Sequence, residues 1–491
     1  MLNPTHETRL KRSPMRLRLV LATLAACIAT TPALASGPWT DMARQDLRGI
    51  RDILAANHPG PVDPQNSFYG DWLKRGFDEA NQRAESAATY GDYMRTLRYY
   101  VNGFRDGHIS VNFTMNPTNM SWPGFLVRRS DADGKVRVAV AKENSPVPVG
   151  AELLSCDGKP LNALMEERLD PYRWNSDIPH ARWLSLPSLF VLQPSDTALR
   201  MKSCSFMVEG QAKDVELRWA NEPTASVTDQ INKVAPPPGK LGMKKVGVIW
   251  FVTIPSFNYS GDAAAGVREL ISEIESKGPE LRNGTVVLDV RGNGGGNSQW
   301  GTLIASALWN KDLVKRVTGS FDWTIDWRVS PANIAHLERI ADQNARDGLT
   351  EASTYWRDTM VAMRDAQTRG QSLLLQPSRP TKPKGKAPAN PVSGRVYLLT
   401  DNACASACLD FADIVRRLPN ATHIGLPTSA DAVYIDNTFA MLPSGIAGLS
   451  YSLKVYRNRV RKNNQWYDPE VRWPGGEMTD EALAKWIDTL A

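Results

Sequence analysis

The sequence predicts an α/β protein with a helical N-terminal region, and three observations carry that prediction. Beyond about residue 245, apolar strand-like runs alternate with helical stretches: VGVIWFVTI, GDAAAGVRELISEIES, GTVVLDV, NSQWGTLIASALW and RVYLLT follow in order. That alternation builds a largely parallel sheet. Residues 40–57 carry Leu47, Ile50, Ile53 and Leu54 on one helical stripe, and YGDYMRTLRYYVNGF reads as another helix ending near Gly103. Between these regions, from about 121, the texture changes to short strands and turns. With 491 residues, 42% of them apolar, the chain is long enough for two or three domains with filled cores.

The N-terminus reads as an export signal. Arg9, Lys11, Arg12, Arg16 and Arg18 precede the apolar stretch 19–28, and Ala33-Leu34-Ala35 supplies a small-residue cleavage site. Cleavage is expected after Ala35, giving a periplasmic or secreted protein; Met15 is an alternative start. A competing reading takes Leu24-Ala25-Ala26-Cys27 as a lipobox, with a lipid anchor on Cys27. The signal's five basic residues and one acidic residue take four charges with them, so the net +6 falls to about +2. A nucleic-acid partner then loses its electrostatic support. No other stretch approaches the roughly 18 apolar residues of a membrane span.

The segment RVAVAKENSPVPVGAELLSCDGKPLNALMEERL runs strand, Pro/Gly turn, second strand broken at Asp157-Gly158, then helix. This order resembles a PDZ-like module, which takes an extended peptide as an added strand; it would close near residues 213–219. Residues 320–375 are polar, Trp-bearing and mostly helical, and RPTKPKGKAPANP after them reads as an exposed linker. The expected organisation is a signal at 1–35, a helical region at 36–120, the PDZ-like domain at 121–220 and a core at 221–491 with an insertion at 320–393.

Two segments carry the chemistry. VVLDVRGNGGGNSQW, 286–300, places a glycine cluster directly after a strand, but no Gly-Lys-Ser/Thr follows and the sixth position counted from Gly292 is Asn297, so phosphate binding fails on residues. TDNACASACLDF, 400–411, sets Ser406 between small and cysteine neighbours where an apolar strand turns into a helix. Such a turn exposes Oγ and places the N–H of Ala407 at the positive end of the helix, the arrangement an acyl-transfer nucleophile needs. Cys404 and Cys408 can bridge only if Cys404 lies on the turn before the helix; Cys156 and Cys204 sit on separate strands and can also pair. The spacing of these four is not that of a zinc site, and no H-E-x-x-H occurs.

Together these segments resemble the tail-specific, or C-terminal-processing, serine peptidases. The family's D-x-R-x-N-x-G-G appears as Asp289, Arg291, Asn293, Gly295 and Gly296, its nucleophile turn as Ala405-Ser406-Ala407, with Asp410 where an acidic residue is usual. The resemblance implies a crotonase-like (ClpP-like) spiral core, Ser406 as nucleophile, and an oxyanion hole from Ala407 and Gly295 N–H groups. Many relatives take a lysine base from a T-x-G-K pattern; here it reads Thr428-Ser429-Ala430-Asp431. The tricorn-like branch uses an N-terminal histidine in a D-x-H setting, and Asp106-Gly107-His108 supplies it, with His58 as runner-up. His423 is expected to pack, and His180 and His336 lie in irregular or inserted segments. Counting back from Asp468-Pro469-Glu470 puts the third catalytic position at Asn463, with Asn464 equally reachable.

The expected function is hydrolysis of peptide bonds in a peptide or unfolded protein through an acyl-enzyme, with no cofactor or metal. The alternatives are an inactive peptide-binding protein of the same fold, favoured by the missing lysine and glutamate, and an esterase.

Overall fold

A six-stranded sheet carries both the glycine and the serine segments. Its order is Gly242–Val246, Ile249–Thr253, Thr285–Asp289, Arg395–Thr400, Ala421–Gly425 and Val471–Arg472, parallel throughout except for the first pair. The computed structural model describes residues 37–490, apart from 131–132, 174, 176–177, 235–238 and 378–384. The export signal, its Ala35 site, Cys27 and much of the Pro/Lys linker lie outside the described residues.

The strands read as unbroken apolar runs because both faces of the sheet are covered. Val286, Leu288, Val396 and Leu398 face one core, packed by helices Ala263–Ser276, Ser298–Trp309 and Ala407–Val415. Their alternates Val287, Tyr397 and Leu399 face a second core closed by helix Asp480–Asp488. VGVIWFVTI differs from the single strand expected: Gly247, at φ +59°, begins a hairpin turn, and only Ile249–Thr253 forms the buried strand.

The insertion is less separate than its composition suggests. Helices Pro331–Arg346 and Thr350–Thr368 form a hairpin, but strands Thr324–Arg328 and Leu373–Pro377 flank it and pair with each other. The first also pairs with the long strand Ala447–Arg457, which in turn pairs with Ser110–Phe113 and Tyr434–Met441. The N-terminal helices Pro38–Asn57, Ser67–Ala84 and Tyr90–Asn102 share a core with this sheet. The last of them starts on a capping box, Thr89 with Asp92, which satisfies two orphan N–H groups.

The third sheet comprises Phe125–Arg129, Val136–Ala141, Glu152–Cys156, Ser203–Val208 and Gln211–Glu216, with the short Lys159–Pro160 paired to Glu152–Cys156. The chain enters and leaves this region through adjacent antiparallel strands, Asn119–Trp122 and Ala220–Pro223, so residues 119–223 close on themselves. Cys156 and Cys204 are direct cross-strand partners and form a disulfide; Cys404, on the turn before its helix, bridges Cys408. Thiol titration of the signal-cleaved protein under denaturing, non-reducing conditions should therefore find no free thiol. Reduction should lower activity, because the second bridge spans the turn that carries Ser406.

Candidate active site

Ser406 leaves strand Arg395–Thr400 by a tight turn and caps helix Ala407–Val415 with φ +53° and ψ −122°. A non-glycine residue held there is strained, and that strain keeps the side chain out of the helix and on the surface of the turn. Asp401 fixes the turn and the glycine segment together: its carboxylate accepts the N–H groups of Ala403 at 3.0 Å and Gly292 at 2.9 Å. Ala405 N–H donates to Asn293 O, and Asn293 Nδ2 donates to Ile254 O. Gly295, at φ +104°, packs so closely that a Cβ would meet Ser406 Cβ at 2.7 Å and Ala405 O at 2.8 Å. Glycine is therefore required at this position on both counts.

The two expected oxyanion donors fare differently. Among the described residues Ala407 N–H donates to no protein acceptor, as expected for the first turn of a helix. The N–H of Gly295 is engaged: it donates to Asn293 Oδ1 at 2.9 Å. Gly294 and Gly296 line the cavity in front of Ser406, so the glycine segment presents its neighbours there instead.

His108 lies on the loop between helix Tyr90–Asn102 and strand Ser110–Phe113 and lines the same cavity as Ser406. The loop is shaped by Asp106, whose side chain accepts the His108 N–H at 2.9 Å and whose carbonyl accepts that of Ile109. Asp106 Oδ1 also stands 3.6 Å from His108 Nδ1, while its Oδ2 is 3.5 Å from Nε2 of the fully buried His58. Burial alone would raise the Asp106 carboxyl, but the two imidazoles facing it hold it at about 2. For His108, burial opposes the charged form; the Asp106 carboxylate, with a contribution from Asp431, outweighs it and moves the pKa upward.

Asn463 is not in this group. Its side chain is exposed and accepts the Val433 N–H at 3.0 Å, fixing a turn. Asn464 reaches the Arg105 carbonyl rather than an imidazole. The carboxylate in contact with the His108 ring is Asp106, whose spacing of two residues from His108 and its Asx-type turn were legible signals. Among the other histidines, His423 is buried against Thr400 Oγ1 with its pKa lowered to about 3 by burial, and His336 bonds Thr438 Oγ1. His180 packs edge-on to Trp466.

The position of the missing lysine is explained by two arginines. Asp431 is buried and receives Arg459 at 3.2 Å and Arg461 at 3.4 Å; both guanidinium groups also reach Asp410, in the first turn of helix Ala407–Val415. Arg461 further pairs with Asp413, and Ser298 Oγ donates to Asp410 at 2.8 Å. Against the cost of burial, the two arginine charges hold Asp410 well below the usual carboxylate range. The network bolts the helix behind Ser406 to segments 428–431 and 457–461. Lys454 lines the cavity but is held as an ammonium: burial would lower its pKa, and Asp436, at 2.5 Å, with the neighbouring Tyr456 raises it strongly.

The cavity itself encloses about 1230 Å³. Ser406, His108 and Phe257 lie along it, and Trp323, Tyr355 and Trp356 of the inserted segment form part of its wall. No group of three or more potential metal ligands occurs among the described residues, and no helix there is long and apolar enough to cross a membrane.

Comparison with known proteins bears on the family and the fold. Residues 248–467, spanning both the glycine and serine segments, match the sequence profile of Peptidase family S41. The fold is similar to that of mature CPAF, at 14% identity and a TM-score of 0.60 over 92% of this chain and 97% of that one. A CPAF structure complexed with lactacystin gives 15% identity and a TM-score of 0.61, over 92% and 98%. The tricorn protease aligns at 13% identity and a TM-score of 0.38, over 92% of this chain and 37% of its own. No curated protein matches the sequence. The chain is a serine-type peptidase. Its stretch 248–467 is similar to Peptidase family S41, the family the glycine and serine motifs resemble.

Proposed function

We propose that the protein hydrolyses peptide bonds through an acyl-enzyme on Ser406, with His108 as general base and Asp106 as the group that orients it. The observation that carries this reading is the strained, helix-capping Ser406 sharing one cavity with a carboxylate-held His108. With Nδ1–H directed at Asp106, the His108 ring keeps its Nε2 lone pair for the Ser406 hydroxyl proton. Attack on the substrate carbonyl forms a tetrahedral intermediate whose oxyanion meets the Ala407 N–H, seconded by the glycine segment at Gly294 or Gly296. His108 then returns the proton to the leaving amine, and water repeats the sequence to release the acyl group.

The substrate class is a peptide or unfolded protein, laid along the aromatic wall of the cavity. The closed module at 119–223 is read as PDZ-like, and the layered sheet around residues 242–472 as a crotonase-like spiral. Export to the periplasm or beyond is supported by the basic and apolar N-terminus and by two disulfides, which persist in oxidising compartments.

The pH dependence of kcat/KM tests the base. Only neutral imidazole accepts a proton, so activity rises as pH passes upward through the His108 pKa. Since Asp106 moves that pKa above its ordinary 6.5, the acid limb should lie on the alkaline side of 6.5. His108→Ala should lose at least about 100-fold, while Lys454→Ala, which removes an ammonium rather than a base, should keep the limb unmoved. A limb that shifts in Lys454→Ala, or near-normal turnover in His108→Ala, would transfer the role.

A further inference from the structure

We infer that His58 is a positioning residue of the catalytic group, a neutral donor that anchors Asp106 from behind so that His58, Asp106 and His108 act as one chain toward Ser406. This rests on His108 being the base. His58 is far from Asp106 in sequence and sits at the end of helix Pro38–Asn57, with no exposed surface. Its Nδ1 accepts the Gly60 N–H at 3.0 Å, so the ring hydrogen is on Nε2, and Nε2 is the atom that faces Asp106 Oδ2 at 3.5 Å. The tautomer needed to support the carboxylate is thus set by the backbone on the other side of the ring. Orientation is fixed as well: the imidazole stacks on Tyr69 at 4.5 Å and 8°, and Tyr434 tilts against it at 4.9 Å.

A histidine serving only as packing would not need its one donor turned toward a buried carboxylate. Among the described residues Asp106 faces imidazoles and pairs with no arginine or lysine; Asp63, whose charge also reaches His58, is paired with Arg457 and Tyr434. The choice of a neutral partner has a chemical consequence. A cation behind Asp106 would compete for the charge that stabilises the imidazolium formed on His108, whereas a neutral N–H fixes one oxygen and leaves the other for His108. Both separations exceed the roughly 2.8 Å of a closed charge-assisted bond. They close when the Ser406 proton arrives on His108 Nε2 and the positive ring draws the carboxylate in. Throughout the step Asp106 remains a carboxylate, and His58 keeps its Nε2 hydrogen.

The experiment compares His58→Phe, which keeps the stacked ring and removes the donor, with His58→Gln, which can still offer an N–H, and includes His108→Ala. We expect kcat in His58→Phe to fall about 10- to 100-fold, the rate equivalent of one hydrogen bond to a charged group, with KM within about twofold, and His58→Gln to recover most of the loss. Equal losses in the two variants, or wild-type kcat in His58→Phe, would overturn the inference. Turnover retained in His108→Ala would instead overturn the base assignment. A readout independent of turnover keeps the two apart: imidazole nitrogen NMR of Ser406→Ala protein should find His58 protonated at Nε2 and the His108 Nδ1 proton resonance displaced by His58→Phe. Protonation of His58 at Nδ1, or an undisplaced His108 resonance, would contradict the chain.

Discussion

Ser406→Ala abolishes peptide turnover, with rates falling by about six orders of magnitude or to background, while the melting temperature moves by no more than a few degrees. The first half follows from the proposed acyl-enzyme, in which Oγ on the strained turn is the attacking atom. The second follows from what Oγ does in the resting fold. It caps no helix hydrogen bond, since the first-turn helix donors Leu409 and Asp410 bond the Ser406 carbonyl, which alanine keeps. The strain at φ +53° belongs to the backbone and is shared by alanine. Activity measured on a peptide library by mass spectrometry, beside thermal melting, checks both halves at once.

Arg461→Ala gives the largest loss of stability, about 3–5 kcal/mol. The guanidinium is fully buried and serves Asp410, Asp413 and Asp431 together. Removing it leaves three carboxylates in the interior with Arg459 reaching only Asp410 and Asp431, so Asp413 loses its cation. The cost is that of an uncompensated buried charge rather than of a lost contact. A compensating Asp413→Asn in the same chain should recover part of the loss, and urea denaturation of the single and double variants measures it. An Arg461→Ala midpoint equal to wild type would show the network to be ornamental.

Much of the site was legible in sequence because turn chemistry is local. Small residues around Ser406, the glycine run after a strand and the Asp106-Gly107-His108 spacing each announce a backbone shape within a few residues. The parallel sheet was legible for a related reason: strands covered on both faces become unbroken apolar runs such as VVL at 286–288, whose neighbours divide between two cores. What escaped depends on pairing across distance. Thr324–Arg328 and Leu373–Pro377 are short strands separated by a helical hairpin, and only their partner at Ala447–Arg457 makes them a sheet.

The same limit governs the corrections at the site. The count from Asp468 leads to Asn463, yet its amide oxygen accepts the Val433 N–H; the carboxylate beside the His108 ring is Asp106, two residues before it. Gly295 looked like an oxyanion donor by position, but the side chain of Asn293, two residues back, claims its N–H. Asp431 takes the place of the lysine in the T-x-G-K pattern, and Arg459 and Arg461, from a later loop, bring positive charge to the same place. As permanently charged groups they organise the helix behind Ser406 and cannot serve as a base.

The most direct test of a Ser406 nucleophile activated by His108 is reaction with a fluorophosphonate, followed by peptide mapping of the adduct. One adduct on Ser406 is predicted in the wild-type protein, formed at a rate that rises with pH above 6.5 and falls at least about 100-fold in His108→Ala. No adduct on Ser406, or labelling there that is indifferent to His108→Ala, would contradict it.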